Sequence, residues 1–85
     1  MFDYHSRWID VHDIVTDDAD GCWYFVRVDD RGDLGVYVKA GSPDDAIEAA
    51  EEHAVWSGWE YDEEDVMVVT IPVDYWSRLE ERASE

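Results

Sequence analysis

The chain has 85 residues, which is enough for one domain with one hydrophobic core and too few for two independently stable domains. Hydrophobic residues make up 46% and aromatic residues 14%, which excludes an intrinsically disordered acidic tail. The 23 Asp and Glu against 6 Lys and Arg give a formal net charge of -17, and this field disfavours direct binding to nucleic acid or to an anionic membrane surface.

The first predicted element is a strand within residues 7–17. Apolar Ile9 and Val11 alternate there with the polar residues Asp10 and His12. The adjacent apolar pair at residues 14 and 15 then breaks the period of two. We expect an N-terminal strand from this alternation.

Two further strands are predicted at residues 22–29 and 34–40. The first is dense in β-branched and aromatic residues, and the second alternates apolar and other residues from Leu34 to Ala40. Residues 29–33, DDRGD, supply turn residues between them. We therefore predict an antiparallel hairpin.

A helix is predicted over residues 43–56. Ser42 can cap its N-terminus and Pro43 suits its first position, while Asp44 and Asp45 are favoured at the positive end of the helix dipole. Its packed face consists of three apolar residues at helical spacing, and acids cover much of the remainder. The three are Ile47, Ala50 and Ala54.

The remaining chain predicts one strand and one short helix. Gly58 is expected to end the preceding helix, and the β-branched run at 66–72 forms the strand. Asp74 then caps a short helix on which Trp76, Leu79 and Ala83 share a face. The fold class is α+β in a single domain over residues 1–85. We expect a mostly antiparallel sheet of three to four strands, one main amphipathic helix and a short C-terminal helix.

Catalytic, metal and cofactor sites are not expected. A calcium loop around residues 17–21 would have to start at Thr16 and end at Arg27, where carboxylates are required. Neither the spacing of His5, Asp10, His12 and Asp13 nor the scattered glycines match a metal or phosphate signature. We interpret Cys22 as a small core residue and His53 as a boundary residue of the helix. The protein is predicted not to be an enzyme.

The clusters of acidic residues are the feature of the sequence that these assignments leave unexplained. With one Lys in the chain, nearly every acid lacks a local partner, so the negative field is directed outward. Aromatic side chains beside the acids in WSGWEYDEED, residues 56–65, can anchor a basic partner. The predicted partner-binding residues are Asp44, Asp45, Glu48, Glu51, Glu52, Trp56, Trp59, Glu60, Tyr61, Asp62, Glu63, Glu64 and Asp65.

In size and overall character, the chain resembles the small acidic phage-encoded DNA-mimic inhibitors of the anti-CRISPR and anti-restriction class. The features that support the resemblance are the helix segment DDAIEAAEEH, the loop EYDEED and the strand-rich aromatic remainder. The resemblance implies binding to the DNA- or guide-binding channel of a bacterial nuclease complex, without catalysis and in the host cell cytoplasm.

Two alternative interpretations explain the same charge. A halophilic domain would use acids as salt adaptation, and five Arg to one Lys resembles the haloarchaeal pattern. An acidic adaptor subunit would bind a basic protein of its own cell. The lone cysteine and the absence of an apolar run or basic leader at MFDYHSRWID indicate a cytoplasmic protein.

Overall fold

A computed structural model describes residues 4–28, 34–53 and 62–84, excluding the side chains of residues 4–7 and 63. The residues form α-helices and β-strands, together with 3-10 turns at Glu63–Asp65 and Val73–Tyr75. In chain order the helices and strands are α1 (Tyr4–Val11), β1 (Asp13–Thr16), β2 (Cys22–Arg27), β3 (Gly35–Ala40), α2 (Pro43–Glu52), β4 (Met67–Thr70) and α3 (Trp76–Ala83).

The four strands form one sheet in the order β1-β3-β2-β4. β2 pairs antiparallel with β3 and with β4, whereas β1 pairs parallel with β3. The predicted α+β class is therefore confirmed, as is the antiparallel pairing of the two central strands. The predicted turn at residues 29–33 lies outside the described residues.

The N-terminal prediction was wrong for residues 4–11, which form α1, and only Asp13–Thr16 is extended. Ile9 is fully buried, but Val11 is 75% exposed and His12 only 9% exposed. Helical periodicity explains this pattern, since the His12 N–H bonds the Trp8 carbonyl oxygen four residues earlier at 2.9 Å. The apparent alternation was too short to separate a strand from two turns of helix.

One face of the sheet packs against α2. Small residues of the helix, Ala46, Ala49 and Ala50, are buried against a β-branched surface that includes Val26 and Val38. The predicted Ile47 is half-buried at the edge of this cluster. α2 ends at Glu52 because His53 is already extended, so the predicted end near residue 56 was wrong; Ala54 and Gly58 lie outside the described residues.

The other face packs against α1 and α3. Trp23, Phe25 and Tyr37 of the central strands meet Ile9 of α1 and Leu79 of α3. The sheet thus lies between two helical layers. No helix in the described ranges is long and apolar enough to cross a membrane.

Three details of the sequence prediction differ from the structure. Asp74 lies inside the 3-10 turn that runs directly into α3, whose N-cap is Tyr75, so Asp74 does not cap this helix. Ala83 is exposed at the last residue of α3, although Leu79 is buried and Trp76 half-buried as expected. Cys22 is exposed because it is the first residue of β2, and burial begins only at Trp23.

Candidate partner-binding surface

The start of α2 is fixed by local hydrogen bonding. Ser42 is extended, with φ -158° and ψ 163°, and its hydroxyl accepts a hydrogen bond from the Asp45 N–H at 3.2 Å. Pro43 occupies the first helical turn, where a missing N–H costs little. Asp44 and Asp45 follow at the positive end of the helix dipole, which stabilises them there.

The buried alanines of α2 determine which side chains point outward. Because Ala46, Ala49 and Ala50 face the sheet, the acidic residues lie on the exposed side of the helix. Asp44 to Glu52 spans about 12 Å at the helical rise of roughly 1.5 Å per residue. Five carboxylates over that length give about one charge per 3 Å, close to the roughly 3.4 Å per charge of a single DNA strand. We call the exposed side chains of Asp44, Asp45, Glu48, Glu51 and Glu52 the acidic face.

Two members of the acidic face lie where the helix itself disfavours them. Glu51 and Glu52 occupy the last turn of α2, at the negative end of its dipole, and that turn contains no basic residue. Helix stability therefore does not account for their position.

The described basic side chains lie on the opposite side of the sheet. Lys39 binds the Glu80 carboxylate of α3, and Arg78 donates hydrogen bonds to Asp10 of α1. Arg82 donates to main-chain carbonyl oxygens of the same N-terminal segment. Arg27 is two residues after Phe25 in β2, so it lies on the same face of the sheet as Trp23 and Phe25, beside Met67. The ion pairs within residues 4–28, 34–53 and 62–84 include no member of the acidic face.

The acidic face continues beyond the N-terminus of α2. A Cβ placed on Gly41 would lie 3.2 Å from Asp18 Oδ2 and 3.6 Å from Asp45 Oδ2, so these two carboxylates flank the same glycine. Asp18 Oδ1 accepts a hydrogen bond from the Asp20 N–H at 3.0 Å. The described part of the chain has no group of three or more residues that could hold a metal ion.

The second predicted acidic segment is described only in part. Asp62, Glu64 and Asp65 are exposed, and Asp65 N–H bonds the Asp62 carbonyl oxygen at 2.9 Å in the 3-10 turn. Val66, the next residue, packs against the α2 side of the sheet, so this turn leads into the same layer. Trp56, Trp59, Glu60, Tyr61 and the Glu63 side chain lie outside the described residues.

A contact that local sequence patterns do not reveal joins the end of α2 to β1. The ring Nε2 of His53 lies 3.2 Å from Asp13 Oδ2, although the two residues are 40 apart in sequence. His53 is half-buried, as expected for a boundary residue, and it lines a groove beside β1. His12 is instead a core residue whose Nδ1 lies 2.9 Å from the Trp8 carbonyl oxygen.

The main chemical property of the described surface is therefore its exposed negative charge. Five exposed acids lie on α2, and none of them is part of an ion pair among the described residues. Comparisons of the chain with protein-family models, with curated proteins and with solved structures gave no match.

Proposed function

We propose that this protein is a non-enzymatic inhibitor that binds the basic nucleic-acid-binding surface of a bacterial nuclease complex by charge mimicry. The acidic face takes the place of a nucleic-acid strand, and arginine and lysine side chains of the partner take the place of its counterions.

The observation that supports this proposal is the separation of charge across the sheet. The described Lys and Arg side chains lie with α1 and α3, whereas the acids of α2 face solvent without a cation. Glu51 and Glu52 remain at a position that is unfavourable for the helix. A surface selected only for solubility has no need of carboxylates at that position, whereas a surface that binds cations does.

The spacing of the carboxylates on α2 favours a nucleic-acid-binding site of the partner over other kinds of basic surface. About one charge per 3 Å on α2 approaches the charge density of one DNA strand. Side chains arranged to hold successive phosphates can therefore engage successive carboxylates of α2. Such contacts strengthen as salt is lowered, since exposed charges are screened over a Debye length of about 10 Å at 0.1 M salt.

Competition with duplex DNA tests the proposal directly. The protein is immobilised in dilute buffer, a bacterial lysate is passed over it, and bound proteins are eluted either with salt or with duplex DNA. We expect a nuclease complex to elute with DNA as well as with salt. If the folded protein retains nothing that DNA displaces, the proposal is wrong. Loss of circular-dichroism signal in the same dilute buffer would support the halophilic alternative instead.

A charge-matched pair of variants locates the surface. Glu48→Lys combined with Glu52→Lys reverses two acids of α2, whereas Asp74→Lys combined with Glu81→Lys makes the same change in net charge at exposed positions near α3. Close interfacial charge pairs contribute about 1.5 to 7 kcal/mol each, so the α2 variant should bind the eluted complex at least about a hundredfold more weakly. The α3 variant should lose far less affinity. Equal losses in both variants would mean that net charge alone matters.

A further inference from the structure

β1 is an edge strand of the sheet formed by residues 4–28, 34–53 and 62–84. Within those residues it is the outer strand and pairs with β3 alone. The Asp17 N–H donates to the Lys39 carbonyl oxygen at 2.9 Å. Main-chain groups of successive residues alternate in direction along a strand, so this hydrogen bond shows which residues of β1 bond to β3. Odd-numbered residues therefore direct their main-chain groups toward β3. The N–H and C=O groups of Ile14 and Thr16 point away from the sheet.

A groove of about 460 Å³ lies at this edge. Asp13, Ile14 and Thr16 of β1 line it, together with His53 at the end of α2 and Arg82 and Ala83 at the end of α3. The outward main-chain groups of Ile14 and Thr16 thus belong to residues that line the groove. The volume falls in the range of roughly 300 to 1,000 Å³ that is common for ligand sites.

The charges of the groove favour a cation. Arg82 donates hydrogen bonds to the carbonyl oxygens of Ile9 and His12, so the negative end of α1 offsets its charge. The Asp13 side chain is 53% exposed, and its Oδ2 is 3.2 Å from His53 Nε2. A cationic side chain entering the groove therefore meets a carboxylate with one side open to solvent.

A second copy of the chain fits this edge poorly. Two chains that each carry a formal charge of -17 repel one another, and the same field attracts a basic segment and speeds its association. The main-chain groups of Ile14 and Thr16 also select an occupant that offers matching N–H and C=O groups.

We propose that this groove binds an extended, lysine- or arginine-containing segment of a partner protein, which adds to β1 as a further strand of the sheet. Main-chain hydrogen bonds to Ile14 and Thr16 supply affinity, and a basic side chain at Asp13 supplies selectivity. This site is separate from the acidic face and does not depend on the function proposed above.

The test uses a short acetylated peptide that alternates lysine and valine. Its control is the same peptide with N-methyl groups on the residues of its pairing edge, which keeps the charge and removes the donors. Amide resonances and hydrogen exchange of the protein are measured with each peptide. We expect the first peptide to slow exchange at Ile14 and Thr16 at least about tenfold, equivalent to about 1.4 kcal/mol, and the methylated peptide to have no such effect. Equal binding of both peptides, or resonance changes confined to α2, would overturn the proposal.

Two variants separate this site from the acidic face. Asp13→Asn should weaken the lysine peptide several-fold while leaving the edge main chain in place. Glu48→Lys with Glu52→Lys should leave the slowed exchange at Ile14 and Thr16 intact, whatever it does to binding of a nuclease complex. If the α2 variant abolishes the slowed exchange at β1, the groove is not an independent site and the proposal fails.

Discussion

The indole Nε1 of Trp23 donates a hydrogen bond to Glu80 Oε1 across 3.2 Å, and the same oxygen accepts a hydrogen bond from the Lys39 ammonium group. Lys39, the single lysine of the chain, also lies 5.8 Å from the centre of the Trp23 ring. These contacts link β2 and β3 to α3. They also hold a cation on the side of the sheet opposite the acidic face.

This cluster predicts a pH dependence of stability. The hydrogen bond from Lys39, followed by that from Trp23, holds the pKa of the Glu80 carboxyl below its ordinary value. A depressed folded-state pKa stabilises the fold above the unfolded-state pKa, and this contribution is lost as the pH falls through the folded-state pKa. The wild type should therefore exceed Glu80→Gln in free energy of unfolding by a constant amount near neutral pH, and this difference should shrink in acid.

Urea unfolding of both proteins at a series of pH values measures this gap. Taking the difference removes the shared effect of protonating the other acids. Glu81→Gln is the matched control, since Glu81 is an exposed neighbour on α3 without an ion pair in the described structure. A difference between wild type and Glu80→Gln that stays unchanged in acid would contradict the lowered pKa of Glu80.

Two glycines predict opposite tolerance to substitution. A Cβ on Gly21 would overlap the carbonyl group of Ala40, which belongs to the main chain of β3 and cannot move without disturbing its pairing. A Cβ on Gly41 would meet only the carboxylate ends of Asp18 and Asp45. Gly21→Ala should therefore cost about 1 to 3 kcal/mol or more, and Gly41→Ala should stay within about 0.5 kcal/mol of the wild type. The urea midpoints of unfolding of the two variants test this difference. Equal losses of stability in both variants would contradict it.

Local sequence signals were sufficient to predict the two central strands and the start of α2. The central strands β2 and β3 follow from dense β-branched and aromatic residues, and α2 follows from Ser42, Pro43 and the small residues behind them. The exposed acids of α2 follow from the same helix, because burying the alanines leaves those positions outward. That part of the candidate surface could be predicted from the sequence.

Elements that depend on distant partners could not be predicted in this way. α1 is recognisable only once His12 is known to be buried, and it is buried because Phe25 and Tyr37 lie beside it at ring distances of 5.3 and 6.2 Å. The parallel pairing of β1 with β3 and the contact of His53 with Asp13 likewise join residues far apart in the chain. The groove at β1 depends on both.

The two described arginines of α3 should contribute unequally to stability. Half-buried Arg82 satisfies carbonyl oxygens at the end of α1, including that of His12 at 2.9 Å. Arg78 and Asp10 form an ion pair in which each side chain is 48% exposed, so solvent screens it. Arg82→Met should therefore cost about 1 to 3 kcal/mol, and Arg78→Met less than about 1 kcal/mol. Chemical unfolding measures both, and a larger loss from Arg78→Met would contradict this ranking.

The acids at the two ends of α2 should act on stability with opposite signs. Asp44→Asn with Asp45→Asn removes charges that the helix dipole favours, whereas Glu51→Gln with Glu52→Gln removes charges that it disfavours. Both double variants change the net charge equally, so general repulsion falls by a similar amount in each. With about 0.3 to 1 kcal/mol per charge, the Gln variant should be more stable than the Asn variant by about 1 kcal/mol or more at low salt.

The stability of both double variants is measured by unfolding at low and at high salt. Their affinity for the complex eluted by DNA is measured as well. Salt should narrow the stability gap, because it screens exposed charges. If Glu51 and Glu52 serve binding, the Gln variant gains stability while it loses affinity, a combination that a merely solvated surface does not produce. Equal stabilisation by both double variants would mean that position along α2 is irrelevant, and it would remove Glu51 and Glu52 from the argument for charge mimicry.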